Sequence, residues 1–313
     1  MVLLVSNSRD FATDYVVHEF RLRGQEYYRL DLDLAYKDRV YLDPVRQELH
    51  IHSADRTVLI DSNSLQSIFF RAPTHLRESS GHRLPPEELL ARHQWTAFSR
   101  SLMVFDEATW VNHPRNTYQS ENKPFQLRVA SEIGFLTPET LIGNAAPFED
   151  HHFKKDDSMA IKALDSFLVR VEDGDAFFYT QSTSRAELET AELGAMPIIL
   201  QRLLRNKLDI RVTVIGDECF SASISVGGQN IEGDWRLMKN QCNYIIHTLP
   251  EVIKNHCLAL TKALGLGFGA IDLAVIGNDY YFLEINPTGE WAWLQEAVDF
   301  PLASRIADYL TKK

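Results

Sequence analysis

The side chains best suited to chemistry lie close to the end of the chain, in AIDLAVI and YYFLEIN, where Asp272 is followed by the pair Glu284 and Asn286. The last two stand two residues apart on a strand, so they leave the same sheet face. Asp272 belongs to the partner strand, joined through the turn GNDY, so three oxygen-bearing side chains can converge. A few hard oxygen donors with room left for water and phosphate suit magnesium bound together with a nucleotide. The alternative is a set of acids at strand ends in solvent. Strands this apolar predict burial, however, and two buried carboxylates without a cation cost several kcal/mol.

A second group lies in QRLLRNKLDIRVTVIG, which sets Gln201 in a polar hinge and then Asp209 and Arg211 two residues apart at the head of a strand. There the carboxylate can orient the guanidinium, whose planar fork suits a phosphate oxygen. As an exposed ion pair the two would contribute little. Lys162 interrupts the apolar MAIKAL, either as an edge-strand device or as a phosphate ligand. Lys123 in SENKPF and Arg236 in GDWRLM are further cationic candidates.

Other patterns carry less. Gly265, Gly267 and Gly269 resemble a nucleotide glycine loop, but they follow a helix and precede a strand, the reverse of the order such a loop requires. His50 and His52 on a strand, and His151 and His152 in a polar stretch, lack a third metal partner at a recognisable spacing. No GxSxG elbow occurs, and no GxGxxG joins the first strand to the first helix.

To bring these groups together the chain needs sheets. Apolar runs and periodicity predict a strand over 2–5, a helix over 11–22 and a strand over 27–32, a β-α-β start. LHIH and TVLI around SADR predict a hairpin, SIFFRAP a strand, Pro85 and Pro86 the opening of a helix to about 107, and WVNHP a short strand. A helix follows over 118–133, stopped by Gly134 and Pro138, and a polar surface loop over 145–158. MAIKAL, then FLVRV and AFFYT around EDGD, read as an antiparallel sheet, and MPIILQRLL leads into IRVTVIG and CFSASISV. A helix over 251–264, the hairpin of the acids and a helix over 301–310 complete an α/β chain. The expected units are 1–115, 116–203 and 204–313.

Composition agrees with a folded enzyme-sized protein. The 313 residues are 45% hydrophobic and 24% charged, with 15 Gly and 12 Pro thinly spread. A net charge of −11 argues against nucleic acid or an anionic membrane as partner, so a phosphate ligand needs a local pocket of Lys and Arg. Three Cys without a CxxC pair predict neither a disulfide framework nor structural zinc, and fit a reducing cytoplasm. No signal peptide and no apolar run of membrane-spanning length is expected.

The order Lys123, Lys162, Gln201, Asp209-Ile210-Arg211, Asp272, Glu284-Ile285-Asn286 resembles the ATP-grasp superfamily from about residue 115 onward. The resemblance implies an ATP-grasp fold, with an N-terminal α/β pre-ATP-grasp domain and two lobes clamping ATP. It further implies Lys123 and Lys162 on phosphates, Gln201 and Leu203 at adenine, Asp209 on the ribose side, Arg211 and Arg236 at the transferred phosphate, and Asp272, Glu284 and Asn286 on Mg2+. WVNHPRNTYQSENKPFQLRVASEIGFLTPET, GDWR and EINPTGEWAWLQEAV, with FFRAP near residue 70, look like the ribosomal peptide maturases of the microviridin or graspetide type. That implies a precursor peptide, leader plus core, as substrate, and ester or amide bonds between side chains through an acyl phosphate. It suggests a homodimer, and Glu290 as acceptor of the nucleophile's proton. The alternative is an amino-acid ligase of the glutathione-synthetase or glutamate-adding type. The chain departs from the wider superfamily in lacking a glycine-rich loop between Lys162 and Tyr179.

Overall fold

The structure is a computed structural model. It describes residues 1–72, 85–145, 153–154, 157–164, 168–171, 174–177, 180–191 and 193–312, with the backbone alone at 168–171, 174–177 and 193. His151, His152, Tyr179, most of the loop expected over 145–158 and the first half of the EDGD turn lie outside the described residues.

The chain opens with β1 (Val2–Ser6), α1 (Phe11–Arg23) and β2 (Tyr27–Asp31). Asp10 caps α1 by accepting from the Thr13 N–H, and Gly24 ends it in the left-handed region at φ 64°. A three-stranded antiparallel sheet follows, β3 (Arg39–Asp43), β4 (Glu48–His52) and β5 (Thr57–Asp61); its last two strands are the expected hairpin. β6 (Ser67–Phe70), α2 (Pro86–Ser101) and β7 (Thr109–Val111) complete a parallel sheet of order β2-β1-β6-β7. α2 stops earlier than expected, because 102–104 tightens into a 3-10 turn.

The single helix expected over 118–133 is two, α3 (Pro114–Ser120) and α4 (Lys123–Ile133). Asn122 is extended between them and its side chain accepts from the Phe125 N–H, while Pro124 has no N–H to continue α3. Gly134 ends α4 at φ 111°. Next come β8 (Thr140–Gly143), β9 (Ser158–Lys162), the separate ribbon β10 (Leu168–Val171) and β11 (Gly174–Phe177), β12 (Gln181–Ser184), α5 (Arg185–Thr190) and β13 (Ile198–Arg202). Four of these strands form an antiparallel sheet of order β12-β9-β13-β8. β9 is therefore internal, and Lys162 is not an edge-strand device.

The remaining sheet is antiparallel, of order β16-β15-β14-β17-β18, from β14 (Leu208–Ile215), β15 (Glu218–Val226), β16 (Cys242–Ile246), β17 (Phe268–Ile276) and β18 (Asp279–Asn286), with α6 (Glu251–Ala263) on one face. Gly265 follows α6 at φ 67° and Gly267 lies in the connection, as expected, whereas Gly269 falls inside β17. α7 (Ala292–Val298) and α8 (Leu302–Thr311) close the chain. They return to the first sheet: Trp291, Leu294, Leu302, Ile306 and Leu310 share a core with Val2, Leu4, Val16 and Phe20. The Ser67 hydroxyl donates to the Leu310 carbonyl at 2.6 Å. No helix among the described residues is long and apolar enough to cross a membrane.

Candidate functional site

Register assembles the site. On β14, β17 and β18 the residues Arg211, Asp272 and Glu284 lie directly opposite one another, forming one row across three neighbouring strands. Opposed side chains on one face sit roughly 5 Å apart at Cβ, closer than residues i and i+2 of one strand. This distance corrects the expected pairing of Asp209 with Arg211. The Arg211 guanidinium instead lies 3.2 Å from Asp272, and Asp209 is taken by Lys207, whose ammonium reaches its carboxylate at 2.6 Å. Burial pushes the Asp209 carboxyl up to about 6 despite Lys207, with Asp272 and Asp234 adding to the rise.

Asn286 shares the face as expected, donating to Glu284 at 3.3 Å. The residue that ties the row together comes from elsewhere. Asp234 caps the 3-10 segment Trp235–Gln241 by accepting from the Arg236 N–H. Arg236 then drops onto the sheet, its Nη2 donating at 2.8 Å to Asp272 and at 2.8 Å to Glu284. Carboxylate oxygens of two strands thus converge on one positive point. Burial works to raise Glu284, but Arg236, Lys123, Lys162 and the Asn286 amide outweigh it and hold the acid down to about 2. At Asp272 burial prevails over Arg211 and Arg236, and the neighbouring Glu284 charge adds to the upward shift. The three acids raise Arg236 against the effect of its own burial.

The cationic side follows from the sheet β12-β9-β13-β8. The Lys162 ammonium donates to the Gln201 side chain at 2.7 Å, and Gln201 donates to the Thr140 hydroxyl at 2.9 Å. Burial lowers the Lys162 pKa, and Glu284 opposes that shift. Lys123, the first residue of α4, donates to the Ala163 carbonyl at 3.2 Å. Leu203, just past β13, is half-buried and its N–H donates to Ser158 at 3.1 Å.

Arg211 is 5% exposed, and its Nε is buried with no hydrogen-bond partner. Its guanidinium carbon lies 5.9 Å from the ring centres of both Trp235 and Trp293. An aromatic cradle holds a cation in place while leaving its N–H groups for an anion. Glu290 stands apart from the row. It is 62% exposed at the side chain and accepts from Arg71 at 2.8 Å, while Arg71 also donates to Asp10 at 3.1 Å.

The arrangement fits a divalent ion with phosphate. Two carboxylates and an amide supply hard oxygens, the Arg236 guanidinium already marks where positive charge is stabilised, and Lys123, Lys162 and Arg211 add three further cations. Among the described residues no group of three or more His, Cys, Asp or Glu is placed to hold a metal ion, so this site would rest on two carboxylates and an amide. Sequence reasoning overlooked Asp234, Trp235, Trp293 and Lys207. Asp234 alone left a signal, an N-cap acid two residues before Arg236 in GDWR.

The chain has the ATP-grasp fold. It is similar along 99% of its length to the macrocyclase MdnC of Microcystis aeruginosa MRC, solved bound with precursor peptide MdnA, with 24% identity, 99% of that chain covered and a TM-score of 0.78. A RiPP-associated ATP-grasp ligase of Chryseobacterium gregarium, in complex with ADP and a leader and core peptide, aligns at 21% identity and a TM-score of 0.83 over 99% of this chain and 96% of that one. Among curated proteins, the tetrahydromethanopterin:alpha-L-glutamate ligase of Methanocaldococcus jannaschii is 28% identical over 101 residues, 32% of this chain. That match spans about a third of the curated relative's length, 33%. No protein-family model matches the chain.

Proposed function

We propose that this chain is an ATP-dependent ligase that activates a side-chain carboxylate of a ribosomal precursor peptide as an acyl phosphate and closes a ring with a hydroxyl or amine of the same peptide. The observation that carries this reading is the convergence of Asp272 and Glu284 on the Arg236 guanidinium, with Lys123, Lys162 and Arg211 nearby. The peptide-bound state of the similar macrocyclase MdnC and of the similar RiPP-associated ATP-grasp ligase favours a peptide over a small acceptor. On this reading the units 1–115, 116–203 and 204–313 divide the work, the last two closing on nucleotide.

A carboxylate is a poor electrophile because its leaving group would be oxide. When its oxygen attacks the terminal phosphorus of ATP, ADP leaves and the carbonyl gains phosphate as its leaving group. Asp272, Glu284 and Asn286 would hold Mg2+, which would supply positive charge against the phosphate oxygens. Lys123 and Lys162 hold the phosphates, Gln201, Leu203 and Asp209 the nucleoside. Arg211 and Arg236 meet the charge that spreads over the moving phosphoryl group. The peptide nucleophile then attacks the acyl carbon and phosphate departs, so ATP is hydrolysed in balance and the peptide loses water. Holding both ends in one pocket makes closure unimolecular. Glu290, once released from Arg71, accepts the nucleophile's proton; an unchanged rate in Glu290→Gln removes that role.

The curated match to a glutamate ligase favours a second reading, addition of a free amino acid at the same ATP site. Incubation with Mg-ATP and a co-encoded Thr-, Ser-, Asp- and Glu-rich peptide should lower its mass by about 18 units per ring, the mass of the water lost at the acyl-transfer step. A mass gain with free glutamate and an unchanged peptide would establish the second reading instead. The resemblance also carries a homodimer, which sedimentation of the purified chain tests, and the three Cys without a CxxC pair fit a reducing cytoplasm.

A further inference from the structure

We propose that Gln126 is a positioning residue for the metal-binding strand, acting as a one-residue surrogate for the strand neighbour that β18 lacks at Ile285. The inference rests on the metal site given above. β18 is the outer strand of its sheet, so the main-chain groups of Ile285 that face away from β17 have no ladder partner. Gln126 is 3% exposed, and its side-chain carbonyl accepts from the Ile285 N–H at 3.0 Å while its amide donates to the Ile285 carbonyl at 2.9 Å. A primary amide presents one acceptor beside its donors, so it reproduces what a backbone peptide of an adjacent strand would offer.

Ile285 separates Glu284 from Asn286. Its side chain is fully buried on the opposite face, in the core with Phe282 and Leu260. Core packing below and Gln126 at the edge therefore fix the backbone on which both oxygen donors stand. The second link runs along α4. Lys123 lies three residues before Gln126, on the same side of the helix, and reaches the carbonyl of Ala163 next to Lys162. One short helix thus sets the phosphate-binding lysines and the metal-binding strand in register. Asn112 holds the open end of the same hairpin, bonded to Gly267, Phe268 and the Pro287 carbonyl. These contacts give Asn112 and Gln126 a function beside the phosphate-binding role of Lys123 on the same stretch.

The test is calorimetric titration of the full chain with ADP, with and without magnesium chloride, in wild type, Gln126→Met and Gln126→Glu. Methionine keeps the volume and removes both bonds to Ile285; glutamate keeps the acceptor and removes the donor. The magnesium-dependent gain in ADP affinity should fall about ten-fold or more in Gln126→Met and by less in Gln126→Glu, while metal-free ADP affinity stays within about two-fold of wild type. A gain equal to wild type in Gln126→Met overturns the proposal and leaves the metal site standing. No gain in the wild type overturns the metal site and the proposal together. If neither variant unfolds cooperatively, Gln126 is a core residue and the positioning role is lost.

Discussion

Arg211 and Glu284 do different work in the same row. Arg211 is held near Trp235 and Trp293 beside Asp272, and on the proposed reading its task is electrostatic. Arg211→Met should lower kcat by about 10²- to 10³-fold with a smaller change in KM for ATP, the signature of charge met only in the transition state. An ADP-release assay that finds both parameters unchanged would sink the assignment. Glu284 writes its role into the acid limb of stability. Its carboxyl is held at about 2, below the ordinary value of 4.5, so its stabilising contribution is complete above roughly pH 4.5 and is lost as the pH falls toward 2. Glu284→Gln should flatten that part of the stability profile, followed by circular dichroism. A profile as steep as wild type would mean that the acid is not held down by its neighbours.

At the scale of elements, α8 matters through where it packs rather than through propensity. Ile306 is fully buried against the first sheet, with Leu302 and Leu310 on the same stripe. Truncation removes apolar burial and leaves a cavity, so Ile306→Ala should cost about 2–5 kcal/mol in denaturant unfolding while kcat below the transition stays at the wild-type level. A loss below about 0.5 kcal/mol would mean that α8 is not docked as described. The two-helix break before α4 belongs here too. Asn122 and Pro124 place Lys123 at the start of a new helix, which aims its side chain at β9 instead of continuing the axis of α3.

For the whole molecule, a site built from two sheets should respond to nucleotide as one unit. Mg-ADP at about 100 times its Kd should stabilise the native state by about 2.7 kcal/mol, which for a chain of this size raises Tm by several degrees. Differential scanning fluorimetry reads this directly. An unchanged Tm with magnesium and nucleotide present together would contradict a shared site. With a net charge of −11, the proposed function makes the local cluster of Lys123, Lys162, Arg211 and Arg236 the place for a triphosphate.

The sequence by itself determined what repeats locally. Alternation and apolar runs located β1, β2, the β4-β5 hairpin, β14, β15 and the hairpin of β17 and β18, and the two-residue spacing put Glu284 and Asn286 on one face. Short strands such as β3, β8, β12 and β16, and the seven-residue α7, escaped because four or five residues of mixed polarity carry no measurable period. Tertiary structure decided everything that depends on register or on distant segments. Arg211 turned to Asp272, its register partner across β14 and β17, while Lys207 took Asp209. Arg236 reached across 36 and 48 residues to Asp272 and Glu284. Arg71 took Glu290 across 219 residues, and α8 returned to the first sheet. Such pairings follow from how sheets close on one another and from the need to bury apolar faces and match charges, conditions that no local window of sequence contains.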